Sequence, residues 1–180
     1  MAKKIIKFTV SVLICELAGI VGSFFTTPAI AGWYVTLQKP AFNPPNWLFA
    51  PVWTILFLLM GISLYLVWSK NWNISLSNSQ PQKKAWNPVS EKLWSGSWRE
   101  ENAIAVFSLQ LVLNILWSII FFGLKMPAVA FIEILMLWFA IIYTIINFYR
   151  ISKAAAYLLL PYLFWVSFAS ILNLSVALLN

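Results

Sequence analysis

The sequence predicts an all-α integral membrane protein, a bundle of five transmembrane helices forming a single domain over residues 1–180. Three observations carry that prediction. Five apolar runs, at about 5–27, 47–69, 102–123, 127–149 and 154–178, each reach the roughly 20 residues that a hydrocarbon core demands. Charged residues make up 9% of the chain, whereas a soluble domain averages about 25%. The last connections, 124–126 and 150–153, are short enough to force antiparallel neighbours and hence one compact bundle.

Composition also removes whole classes of function. The net charge of +7 does not point to nucleic acid, because the lysines sit at the ends of the apolar runs. Histidine is absent, so the commonest metal and haem ligand and the commonest general base are missing. No metal site is expected, and no cofactor is required. With one cysteine, Cys15, no intrachain disulfide can form. No Ser-His-Asp or Cys-His set, paired carboxylates or glycine-rich phosphate loop is present, so conventional catalysis has no constellation to work with. The eleven tryptophans are the anomaly that a functional account must use.

The first run begins with Lys3, Lys4 and Lys7 and is followed by Ala29-Ile30-Ala31, a signal-peptidase-like pattern. Its apolar part exceeds the roughly 7–15 residues of a signal peptide and contains Glu16, so it reads as a helix of the mature protein. Ser11, Cys15, Gly19, Ser23 and Thr27 recur every fourth residue along it, beside Ala18 and Gly22. Such a ridge lets backbones approach closely in lipid and serves either packing within the bundle or dimerisation.

The connection 28–46 is too polar and proline-rich for lipid. Pro40, Pro44 and Pro45, with Pro51 beyond them, fix φ and disfavour helix at the residues before them. It reads as a stiff lid carrying Trp33, Tyr34 and Phe42, with Trp47 and Trp53 following. The second connection, 70–101, is long and polar, with a helix-start signal at Asn87-Pro88 and Trp86, Trp94 and Trp98 interleaved with charges. It reads as an interfacial anchor or a partner-binding loop.

Lysine and arginine set the orientation. Lys3, Lys4, Lys7, Lys70, Lys83, Lys84, Lys92, Arg99, Arg150 and Lys153 fall on one side, against Lys39 and Lys125 on the other. The positive-inside rule then places the N-terminus in the cytoplasm and the lid and C-terminus outside.

Helical spacing gathers the polar and aromatic residues onto three faces. Gln110, Asn114, Trp117 and Phe121 share one face of the third run. Tyr162, Trp165, Ala169 and Asn173 share one face of the fifth, and Trp53, Phe57 and Met60 one of the second. Amides and indoles in hydrocarbon turn inward to find partners. The three faces together make either an aromatic ligand cavity with a few hydrogen-bonding groups or simple interhelical glue. Trp138 lacks polar companions at helical spacing and reads as packing or lipid-facing. Glu133, within two turns of the start at Pro127, reads as favoured by the helix dipole. Glu16 lies nearer mid-membrane and is a functional candidate by position.

Four motifs in order resemble the tryptophan-rich sensory protein family, also called the translocator protein or peripheral-type benzodiazepine receptor family, and the chain looks like a bacterial-type member. They are Trp33-Tyr34 with Leu37, Lys39-Pro40, Pro44-Pro45 and Trp47; Trp53 with Leu56; Asn114, Trp117 and Phe121-Phe122; and Pro161-Tyr162, Trp165, Ala169 and Leu172-Asn173. The resemblance covers the chain apart from the second connection. It implies a five-helix bundle, a homodimer, and a pocket beneath the first loop. The implied ligands are porphyrins such as protoporphyrin IX, haem, sterols and isoquinoline carboxamides. The implied activity is that of a receptor, sensor or transporter, with some bacterial members degrading protoporphyrin in light. By motif, the tryptophans tied to that degradation fall on Trp53 and Trp165. The ligand contacts carry over to Tyr34, Pro45, Asn114, Trp117 and Ala169, and to Gln110. The chain departs from the family in having Phe42 after the Lys-Pro pair, where tryptophan is common. It also lacks the tyrosine and basic residue of the animal C-terminal sterol motif, and its second connection is longer.

Overall fold

The computed structural model describes residues 2–77 and 96–180, with side chains described outside 71–77 and 96–101. Helix α1 spans Ala2–Ala31. Two short 3-10 turns, Tyr34–Thr36 and Asn46–Leu48, lead to α2 at Phe49–Ser77. Helix α3, Gly96–Ser118, ends in a π-helical turn at Ile119–Gly123. Then come α4 at Pro127–Ile151, the short α5 at Lys153–Leu158 and α6 at Leu160–Leu179. Among the described residues there is no strand. Among the described residues, five spans are long and apolar enough to cross a membrane: Ala2–Ala31, Asn46–Lys70, Asn102–Gly123, Pro127–Ile151 and Lys153–Leu179. The all-α, multi-pass class expected from the apolar runs is the class observed.

The helices outrun the apolar runs, each for a local reason. Helix α1 continues through Pro28 to Ala31, which shortens the expected connection 28–46. Pro28 gives up its own N–H bond and its ring crowds the Phe24 carbonyl, a cost met within the last turn of α1; the Pro28 carbonyl still receives the Gly32 N–H at 3.2 Å. Helix α2 passes Ser69 because no proline follows before Pro81. Helix α3 begins at Gly96 rather than near Asn102, so both ends of the connection 70–101 are helical. The helix-start signal at Asn87-Pro88 and the side chains of Trp86, Trp94 and Trp98 lie outside the described residues. The fifth span is broken at Leu159, just before Pro161, whose missing N–H is harmless in the first turn of α6. The first run buries Ser11, Cys15, Ala18, Gly22 and Ala29 inside the bundle.

The first part of the small-residue ridge on α1, Ser11 and Cys15 with Ala18 and Gly22 beside it, packs within the bundle, while Ser23 and Thr27 stay exposed. A Cβ at Gly61 of α2 would stand 2.6 Å from the Val12 Cα, so α1 and α2 touch backbone to backbone there. Polar groups tie the remaining helices. Ser63 Oγ donates to the Ala155 carbonyl at 2.8 Å, and Lys70 Nζ to the Ile151 carbonyl at 2.8 Å at the end of α4. The outer surface is studded with Ile5, Leu13, Phe24, Ile132, Phe139 and Phe164, the face that a lipid-embedded bundle presents.

Candidate ligand-binding site

Tyr34 anchors the lid. Its ring drops into the bundle against Phe49, Phe121 and Phe122, with centroids 6.5, 6.3 and 5.9 Å away. Its hydroxyl donates to Asn43 Oδ1 at 2.7 Å, and Asn43 Nδ2 donates to the Pro44 carbonyl at 3.0 Å. Burial pushes the Tyr34 phenol up to about 12, so it stays a neutral donor at physiological pH. The far side of the lid is held by Asn180, whose side chain accepts the Gln38 N–H at 2.9 Å and donates to the Gln38 carbonyl at 3.0 Å. Trp33 packs on Phe121 at 5.8 Å. Phe42 and Trp47 instead remain 50% and 72% exposed, so the expected aromatic lid turns only part of its rings inward.

Below the lid, amides and indoles from different helices pair. Asn114 Nδ2 donates to the Tyr162 hydroxyl at 2.9 Å. Trp117 Nε1 donates to Asn173 Oδ1 at 3.0 Å, while Asn173 Nδ2 donates to the Pro127 carbonyl at 2.7 Å. Asn173 thus joins α3, α4 and α6 with its whole side chain. Trp117 lies stacked on Phe121, 5.3 Å away, and Trp53 on Phe57, 5.6 Å away. The π-helical turn lets the adjacent Phe121 and Phe122 both bury.

Two voids adjoin this network. The larger, about 390 Å³, lies between α1, α2 and α3. Trp53, Trp117, Phe57 and Phe122 wall it, together with Asn114 and the α1 residues Glu16, Gly19, Gly22, Ser23 and Thr26. Because Ile20, Ser23, Thr27, Ala50 and Thr54 also border it and are outwardly exposed, it opens sideways between α1 and α2. The smaller void, about 20 Å³, has room for about one water. Around it converge Tyr34, Trp53, Trp117, Trp165, Ala169 and Asn173.

The expected site residues therefore fall into three groups. Trp53 and Trp117 face both voids, and Asn114 the larger. Tyr34, Trp165 and Ala169 border only the small one, with Phe49, Phe121 and Phe122 filling the space around it. Pro45 is exposed, accepting the Leu48 N–H at 3.0 Å, and Gln110 is buried; neither touches a void. Both polar atoms of the Gln110 amide lack a partner among the described residues. Three further readings change. Trp138 has a polar companion after all, donating from Nε1 to Ser167 Oγ on α6 at 2.8 Å, a contact that spacing along one helix cannot reveal. Glu133 lies beyond the first turn of α4, past the reach of the helix dipole. Its two buried oxygens have no donor among the described residues. The α1 ridge, read as serving packing or dimerisation, also lines the large void. The signal was there in its small side chains, which leave room as readily as they permit contact.

Among the described residues no three His, Cys, Asp or Glu side chains are grouped to hold a metal. What the large void offers is apolar and aromatic area with a few polar groups, the make-up of a site for a hydrophobic small molecule.

The chain is similar to known proteins over nearly its whole length. The model of the TspO/MBR family matches residues 11–179. A tryptophan-rich protein TspO of Archaeoglobus fulgidus is 42% identical over 176 residues, covering 98% of both chains. The human translocator protein is 35% identical over 153 residues, 85% of this chain and 78% of its own. A tryptophan-rich sensory protein of Cereibacter sphaeroides is 30% identical over 148 residues, 82% of this chain and 77% of its own.

Proposed function

The chain belongs to the TspO/MBR family, and from that premise we propose that it is a membrane receptor or sensor for a porphyrin-like or other flat hydrophobic ligand. The observation that carries the reading is the void of about 390 Å³ walled by Trp53 and Trp117 in the lid half of the bundle. A macrocycle stacked on these indoles gains apolar area and a defined ring geometry. Asn114, whose Nδ2 is held by Tyr162, keeps its carbonyl oxygen for a polar edge. Without histidine, a metal-free porphyrin is the ligand that the residues suit better than haem. Accommodating a whole macrocycle means opening the small void as well, by displacing Phe49 or Phe122 so that Trp165 and Ala169 join the wall. In light, the bound porphyrin is the photosensitiser, dioxygen the oxidant that its degradation consumes, and Trp53 and Trp165 the oxidisable neighbours; this is the only catalysis we propose. The orientation with a cytoplasmic N-terminus, and a homodimer, belong to the same proposal.

Titration of tryptophan fluorescence with protoporphyrin IX tests it. Saturable quenching is expected, weakened in Trp53→Phe and in Trp165→Phe; quenching that never saturates would end the reading. Illumination of the complex while porphyrin absorbance is followed then separates degradation from binding.

A carrier is the second reading. Relatives bear the name translocator protein, and the sideways opening between α1 and α2 gives a lipid-borne molecule a path in. Porphyrin flux across liposomes carrying the protein distinguishes it from a sensor, which leaves flux at the protein-free rate.

A further inference from the structure

The larger void has an uneven supply of hydrogen-bonding groups, and that unevenness says something about its occupant. The Ser23 hydroxyl donates to the Ile20 carbonyl at 2.7 Å, the Thr26 hydroxyl to Gly22 at 3.1 Å and the Thr54 hydroxyl to Ala50 at 3.0 Å. Each spends its proton on its own helix and offers the void only lone pairs. Asn114 Nδ2 gives one of its two hydrogens to Tyr162, and Trp117 Nε1 gives its only one to Asn173. At the deep end stands Glu16, roughly 16 Å along α1 from Thr27 at the lid end. It is the sole acid on a wall that carries no lysine or arginine, and no described side chain donates to it. The wall is thus uneven, with its one carboxyl at the deep end and its free donors nearer the lid. The Thr27 and Ser118 hydroxyls, Asn46 Nδ2 and Trp53 Nε1 line the void and donate to no described group; these free donors lie on the lid side of Glu16.

We propose that this void selects a flat apolar ligand bearing a hydrogen-bond-donating nitrogen, and that the Glu16 carboxyl receives that nitrogen at the deep end. The inference rests on the reading of the void as a ligand site and adds the ligand's polarity and its direction in the bundle. The aromatic wall takes the flat body, as Trp53 and Phe57 lie stacked along one side, while Glu16 fixes which end goes in first. A ligand of the same shape without the N–H leaves the carboxyl unpartnered in a low-dielectric setting, which is where such pairs discriminate most.

Two matched probes test this on the full chain in detergent micelles: N-butyl dansylamide, which has a sulfonamide N–H, and its N-methyl counterpart, which does not. Saturable energy transfer from tryptophan to the naphthalene reports binding. The wild type is expected to hold the N–H probe about tenfold more tightly. Glu16→Ala should erase that preference by weakening the N–H probe alone, and the unchanged affinity for the N-methyl probe shows that the variant is folded. Glu16→Gln, whose carbonyl still accepts, should keep part of the preference. Equal affinities in the wild type, a preference that survives Glu16→Ala, or no saturable transfer from either probe would overturn the inference. Protoporphyrin quenching, read separately, would still stand or fall on its own and decides the wider reading.

Discussion

Asn173 is the side chain whose removal should be felt farthest. It is 1% exposed and makes two interhelical bonds, accepting the Trp117 indole N–H and donating to the Pro127 carbonyl. Interhelical side-chain bonds in membranes average about 0.6 kcal/mol and reach about 1.7. Asn173→Ala, which loses both, should therefore destabilise the fold by about 1–3 kcal/mol. Trp117→Phe loses one of the same bonds together with part of a ring that stacks on Phe121. If that bond is a real link between α3 and α6, the double variant must cost less than the two single variants together. The expected difference is about 0.6–1.7 kcal/mol, the value of the shared bond. Reversible unfolding in mixed detergent and SDS micelles, followed by helical circular dichroism, supplies the four stabilities. Single costs that add to within about 0.3 kcal/mol would refute the reasoning, since independent sites behave that way. The Trp117 ring would then be held by packing alone.

Three further outcomes are expected. Gly61→Ala should destabilise by about 1–3 kcal/mol, because its Cβ would press on the backbone at Val12; Gly32→Ala, whose Cβ meets only the Pro28 carbonyl at 3.4 Å, should change stability by less than about 0.5. Similar unfolding midpoints for the two would contradict the close α1–α2 contact. The raised Tyr34 phenol favours the folded lid in its neutral form, so that contribution is complete below the ordinary value of 10.0 and disappears as pH rises through about 12. Spectrophotometric titration should show one tyrosinate transition near 12 that Tyr34→Phe removes; an identical curve for the variant would place the phenol in water. Alkaline phosphatase fused after residue 180 should be active in cells, and inactivity there would reverse the orientation drawn from the lysines and arginines.

The membrane spans were legible because hydrocarbon imposes a length and a polarity that the sequence must display residue by residue. The inward faces were legible too, as Asn114 and Asn173 have nowhere else to satisfy an amide. What escaped was decided by contacts between helices. Nothing near Ser69 or Asn102 marks a helix end, so α2 and α3 run on beyond the apolar stretch. Trp138 meets Ser167 only because α4 and α6 lie side by side. The turn at Ile119–Gly123 takes the π form where Phe121 and Phe122 both find room beneath Tyr34, a choice made by packing rather than by those five residues.

The place of the larger void follows from what faces the small residues of α1. At the deep end, Ser11 and Cys15 are fully buried and Gly61 lets the two backbones meet, so smallness there closes the gap. Toward the lid the same spacing brings Gly19, Gly22 and Ser23, but α2 now sends in Phe57, Trp53 and Phe49 from one side. The Phe57 ring already occupies the place that a Cβ at Gly19 would take. These rings hold the helices apart, while the small Ala50 and Thr54 on the outer side of α2 leave the space between them unfilled. One ridge thus seals the bundle at one end and opens it at the other. The difference lies in the partner helix, which is why a repeat on α1 alone could be read as packing and still be half of a cavity wall.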